Sequence, residues 1–121
     1  MKKGFFLLFC VLAACNIKGS MEKTRKINDD LIAAFGNQNI DTAIKWNDDE
    51  TEKFLVITFY DYDVSSKSYD ELARLSQRVR IKLMEQHPEL VHFGGIEVRF
   101  SRDRMDSMTD VVSFRHERNG D

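Results

Sequence analysis

Hydrophobic positions along most of this chain follow two alternating periods. Between residues 22 and 35, Ile27, Leu31, Ala34 and Phe35 fall at i, i+4, i+7 and i+8. That is one face of a 3.6-residue period, so the spacing predicts a helix, with Gly36 as the residue that ends it. Residues 39–46 switch to a period of two. Ile40, Thr42, Ile44 and Trp46 point one way and Asp41, Ala43 and Lys45 the other, as in a half-buried strand. Asn47 to Glu52 is a polar turn. Lys53 to Tyr62 is the strongest strand, β-branched or aromatic nearly throughout and apolar on both faces, which predicts a central position in a sheet.

The second half repeats the order. Ser68 and Glu71 make the S-x-x-E pattern of a capping box, and Leu72, Leu75, Val79 and Leu83 continue at helical spacing to about Gln86. Pro88 stops the helix, because the residue before a proline is pushed out of the α region. Gly94-Gly95 leads into an alternating strand, Ile96 to Phe100. Residues 101–108 turn back, and Asp110 to His116 forms the last strand, with Val112 and Phe114 on one side. The predicted fold is α+β with the order αββαββ: a two-layer sandwich in which a four-stranded antiparallel sheet carries both helices on one face. The other face is left open to solvent or a partner. A duplicated αββ unit is one reading of the order.

The first fifteen residues follow neither period. Met1-Lys2-Lys3 is a basic start, Gly4 to Ala14 is uncharged, and Leu12-Ala13-Ala14-Cys15 places small residues before a cysteine. This is the layout of a secretory signal, and the apolar stretch is well short of the roughly 20 residues that a membrane-spanning helix needs. Leu12-Ala13-Ala14-Cys15 resembles the lipobox of bacterial lipoproteins. The resemblance implies cleavage before Cys15, a thioether-linked diacylglyceryl group on Cys15 and acylation of its new amino group. Several chains together hold a domain far longer than one. It divides the chain into a signal peptide (1–14), a lipidated cysteine with a polar tether (15–23) and a single domain (24–118). In enterobacterial lipoproteins an Asp after the lipidated cysteine favours the inner membrane. Asn16 stands there, which by resemblance implies the periplasmic face of the outer membrane.

Charge and cysteine count narrow the function classes. Cleavage would remove Lys2 and Lys3 from 18 basic residues and none of 20 acids, leaving 16 against 20, a net charge of −4. That sign argues against a nucleic-acid partner, which needs clustered basic charge. The two cysteines are Cys10, in the signal, and Cys15, so the mature domain would hold no free thiol and no disulfide. What remains after cleavage is enough for one domain and too little for two.

No nucleotide-binding, nucleophile-elbow, zincin or C-x-x-C signature is present, and no cofactor is expected. Asp61 and Asp63 would project to the same side of an extended backbone, either as cation ligands or as a plain polar strand end. His87, His92 and His116 are scattered rather than spaced as metal ligands, and read as surface or capping residues. Arg74, Arg78 and Lys82 form an i, i+4, i+8 stripe on the second helix, beside Arg80. The stripe suits an anionic partner, or a solvated face in which Asp70 pairs with Arg74. Trp46, Tyr60 and Tyr62 fall near strand ends and would border a groove or interface. The leading expectation is a non-catalytic envelope lipoprotein that binds a protein or envelope partner. The alternatives are a small hydrolase or metal-dependent enzyme using Asp61, Asp63 and a histidine, and an immunity-type lipoprotein that neutralises a toxin.

Overall fold

A computed structural model describes residues 21–48, 51–104 and 111–118. Cys15 and the signal-like segment lie outside the described residues. Helix α1 covers residues 21–35. It is followed by β1 (Ile40–Trp46), β2 (Lys53–Phe59), a 3₁₀ turn (Val64–Ser66), helix α2 (Tyr69–Gln86), a second 3₁₀ turn (Pro88–His92), β3 (Gly95–Ser101) and β4 (Val111–Glu117). The order of helices and strands is the predicted one. Residues 22 and 23, given both to the tether and to the predicted helix, are helical, as is residue 21 before them.

The strands lie in the order β1-β2-β3-β4. The sheet is mixed, not antiparallel throughout as the sequence suggested. β1 and β2 form an antiparallel hairpin, as do β3 and β4, but β2 runs parallel to β3, with Leu55 beside Ile96 and Ile57 beside Val98. The reason is the connection. A tight turn reverses a strand, whereas α2 carries the chain back along the sheet and delivers β3 in the direction of β2, as a βαβ crossover does. The parallel pair is the buried centre of the sheet. β2 is central while its counterpart in the second half, β4, lies at an edge, so the two αββ halves do not occupy equivalent places.

Both helices pack on one face. Ile27 and Leu31 of α1 and Leu72, Val79 and Leu83 of α2 meet Ile40, Leu55, Ile57, Phe59, Ile96, Val98 and Phe100 in one core. Leu90 and Phe93 complete it at the end where α2 finishes. The buried positions of α2 are Leu72, Ser76, Val79 and Leu83. Leu75 is only half-buried. A serine thus occupies the place the apolar pattern assigned to a leucine. It does so because its hydroxyl lies 2.6 Å from Nε2 of His116 on β4, a polar pair satisfied inside the core. Ser68 caps α2 by accepting from the Glu71 N–H at 3.1 Å. The reciprocal bond from Glu71 is not made among the described residues, so half of the capping box forms. Gly36 takes φ +65° after α1, the left-handed turn that its lack of a Cβ permits.

Candidate functional site

No described element covers the second face of the sheet. Phe54, Val56 and Thr58 of β2 lie on it, flanked by Glu97 and Arg99 of β3 and Arg115 of β4. All three β2 side chains are nevertheless buried, Phe54 at 8% and Val56 and Thr58 at 4% exposed, and at Phe54 local packing shows how. Phe54 pairs with Gly95 across the sheet, and its ring lies over Gly94 and Gly95. A Cβ at Gly95 would sit 2.9 Å from the Phe54 ring and 2.6 Å from the His116 carbonyl oxygen, so only glycine lets the ring lie against the backbone. The Arg115 guanidinium carbon stands 4.0 Å from the centroid of the same ring, a close cation–π contact.

This cluster of backbone, ring and guanidinium floors two adjoining hollows of ≈390 and ≈260 Å³. Both share Phe54, Arg115, Asn47 and Asp48. The wall is the β1–β2 turn, held by the Asn47 carboxamide oxygen, which accepts from the Thr51 and Glu52 N–H groups at 2.9 and 3.3 Å. Arg118 ties that turn to β4 through Glu52 at 3.2 Å. The carboxylate nearest Arg115 by register is Glu97, which is engaged by Arg99 instead. Arg115 therefore stands on Phe54 with no ion pair among the described residues. Trp46, 59% exposed, lines the smaller hollow with Lys45.

The three aromatic residues expected to share a rim do not. Trp46 pairs with Lys53 at one end of the sheet, whereas the Tyr60 N–H bonds Asn39 beyond the other end. Tyr62 packs its ring on Phe59 and Phe100 at 5.8 and 5.6 Å, on the helix side. There it joins the basic stripe: Tyr62, Lys67, Glu71, Arg74 and Arg78 line a groove of ≈400 Å³ beside the start of α2. Arg74 Nε donates to the Asp70 backbone carbonyl at 3.4 Å, not to its carboxylate. Arg78 sits 5.7 Å over the Phe35 ring of α1, and Lys82 is half-buried along the same helix seam.

The carboxylates and histidines of the enzyme reading lie at opposite ends of the sheet. Asp61 and Asp63 follow the C-terminal end of β2, while His87 and His92 precede β3 and His116 pairs with Ile96 near its start. Seven-residue strands separate the two groups by roughly 20 Å. Asp61 has φ +49° and its N–H donates to the Asp103 carbonyl, so the extended geometry that would align it with Asp63 is absent. Asp63 accepts from the Ser65 hydroxyl at 2.8 Å, and hydrogen bonds from Ser65 and Ser66 hold its carboxyl below its ordinary value. His87 and His116, expected as surface or capping residues, are buried. His87 does follow the last turn of α2, but its Nε2 contacts Asp30 of α1 at 2.9 Å. Nearby, Lys23 pairs with Glu89 at 3.2 Å. Among the described residues no three His, Cys, Asp or Glu side chains are grouped to hold a metal ion.

No protein family, curated protein or solved structure matches this chain. Among the described residues no helix is long and apolar enough to cross a membrane.

Phe54 and Arg115 did not stand out in the sequence. The signals were a strand apolar on its second face as well as its first, and a Gly-Gly pair entering β3. Their meeting across β3 depends on the strand order, which alternation does not carry.

Proposed function

We propose that the chain is a bacterial envelope lipoprotein whose domain is a non-catalytic binding module. Acyl chains on Cys15 hold it at the membrane, at the periplasmic face of the outer membrane by the Asn16 resemblance. The open sheet face meets a protein or envelope partner. The observation that carries the binding reading is Arg115 stacked on Phe54. An aromatic ring fixed against a glycine backbone and an unpaired guanidinium is a rigid, partly desolvated platform, and ordering it costs little on binding. Trp46 and Lys45 extend the platform at its rim. The membrane reading rests on the lipobox resemblance alone.

Two measurements test this reading. Mass spectrometry of the mature N-terminus should find acyl chains on Cys15, and Cys15→Ser should release the protein from the membrane. An unmodified Cys15 in the mature protein contradicts the anchor. Partner capture from the native envelope should be lost with Arg115→Glu plus Trp46→Ala and retained with Arg74→Ala plus Arg78→Ala. The reverse pattern contradicts the open-face assignment.

A further inference from the structure

A second site stands apart from the open face, on the helix side. The groove beside the start of α2 is lined on its rim by Lys67, Arg74 and Arg78, and its floor includes Leu72 and Leu75. None of the three cations makes an ion pair with a described carboxylate. Among the described residues Glu71 is the one acid in the lining, and the Lys67 ammonium also acts on the carboxyl of Asp63, which accepts hydrogen bonds from Ser65 and Ser66. Three positive side chains thus line one hollow, with Arg74 Nε held on the Asp70 carbonyl and the Arg78 guanidinium at its Phe35 end, in a chain whose overall formal charge is −2. Tyr62 adds a neutral donor. Its ring is wedged against Phe59 and Phe100, which fixes where the phenol stands, and the hydroxyl makes no hydrogen bond to a described residue.

We propose that this groove binds an amphipathic phosphate, with Arg74, Arg78 and Lys67 on the phosphate oxygens, the Tyr62 hydroxyl donating to one of them, and Leu72 and Leu75 against the apolar part. Guanidinium forks match the spacing of phosphate oxygens, and two forks plus an ammonium suit a group with several charged oxygens better than a single carboxylate. The apolar floor and a volume of ≈400 Å³, in the usual range for small-ligand pockets, exceed what a bare phosphate fills. A lipid headgroup and a soluble phosphate ester share this chemistry.

The test is calorimetric titration of the full chain carrying Cys15→Ser, so that no acyl group competes. The probes are inorganic phosphate, phenyl phosphate and dihexanoyl phosphatidylglycerol below its micelle concentration. At least one of the two amphipathic phosphates should bind roughly tenfold more tightly than inorganic phosphate, since burying a few apolar groups supplies that factor. Phenyl phosphate as the tighter probe identifies a soluble ester as the source, and the phospholipid a headgroup. Arg74→Gln with Arg78→Gln should weaken that binding at least tenfold and Tyr62→Phe roughly threefold to tenfold, whereas Arg115→Gln should leave it unchanged. All variants should keep the wild-type urea midpoint to within the range of surface substitutions. The proposal is overturned if neither amphipathic probe exceeds inorganic phosphate, or if binding survives the paired arginine substitution.

Discussion

Ser76 of α2 and His116 of β4 meet at 2.6 Å with both side chains buried, and the contact ties the central helix to an edge strand 40 residues further along the chain. It is a hydrogen bond inside an apolar layer, where losing one partner costs more than the bond itself contributes. Ser76→Ala removes the hydroxyl that Nε2 contacts. The expected loss is about 1–3 kcal/mol in urea unfolding, although the change deletes a single oxygen. A loss under about 0.5 kcal/mol would mean that the pair does not hold β4 to the helix.

The face of α2 gives a graded series. Leu83 is fully buried, Leu75 is half-buried and Arg78 is exposed with its guanidinium over Phe35. Leu83→Ala should cost about 2–5 kcal/mol, the usual range for a core leucine. Leu75→Ala should cost clearly less than Leu83→Ala. Arg78→Ala should cost under about 1 kcal/mol, the scale of an exposed cation–π contact. Equal losses at positions 75 and 83 would show that α2 is rotated from the orientation described.

Gly95 should tolerate no side chain. The close approach of the His116 carbonyl and the Phe54 ring means that a methyl group there must push backbone as well as ring. Gly95→Ala should destabilise by about 1–3 kcal/mol, the cost of forcing extra volume into a packed place. Gly94→Ala meets the flexible end of Glu52 first, so part of its strain can relax and the loss should be smaller. An unchanged midpoint for Gly95→Ala would contradict the Phe54 stack.

Two exposed carboxyls should titrate low. Hydrogen bonds from Ser65 and Ser66 hold Asp63 below its ordinary value of 3.8. Glu89 is held below 4.5 chiefly by its own backbone N–H, with the Lys23 ammonium adding to it. A carboxyl whose folded pKa is depressed contributes stability that is present above the unfolded value and is lost as pH falls through the folded one. Stability should therefore fall on acidification below about pH 4.5, and the contribution should be small because both groups are solvated. Carboxyl-carbon NMR titration should place the Asp63 midpoint under 3.8, and Ser65→Ala with Ser66→Ala should raise it. A wild-type midpoint above 3.8 would contradict the hydrogen-bonded turn.

Much of this architecture was legible in the chain. Alternation says which way a side chain points, so the apolar side of the half-polar strands, with Ile40, Val98 and Phe114, could be named from spacing, whereas β2, apolar on both faces, gave no such choice. Alternation carries no information about strand direction. The parallel pairing of β2 with β3 comes from the crossover through α2, and the period of Ile96 to Phe100 is the same either way. Ser76 was hidden because a polar residue on a buried face is explained only by its partner, and His116 lies on a strand brought alongside by the fold. The candidate site was hidden for the same reason. Phe54 and Arg115 meet across β3, over a glycine pair whose use is to leave room for the ring. Trp46 and Tyr62 looked like neighbours on a rim, and the register sends them to opposite ends of the sheet and to different grooves.

In the proposed function, binding falls to the open sheet face of an anchored domain. Photo-crosslinking in the native envelope tests it most directly, with the crosslinking side chain placed at Lys45, which pairs with Phe54 on the open face, or at Ile81 on the exposed side of α2. A discrete membrane-associated adduct is expected from position 45, absent from position 81 and abolished by Arg115→Glu. An adduct from position 81 alone, or one from position 45 that persists with Arg115→Glu, would contradict open-face binding.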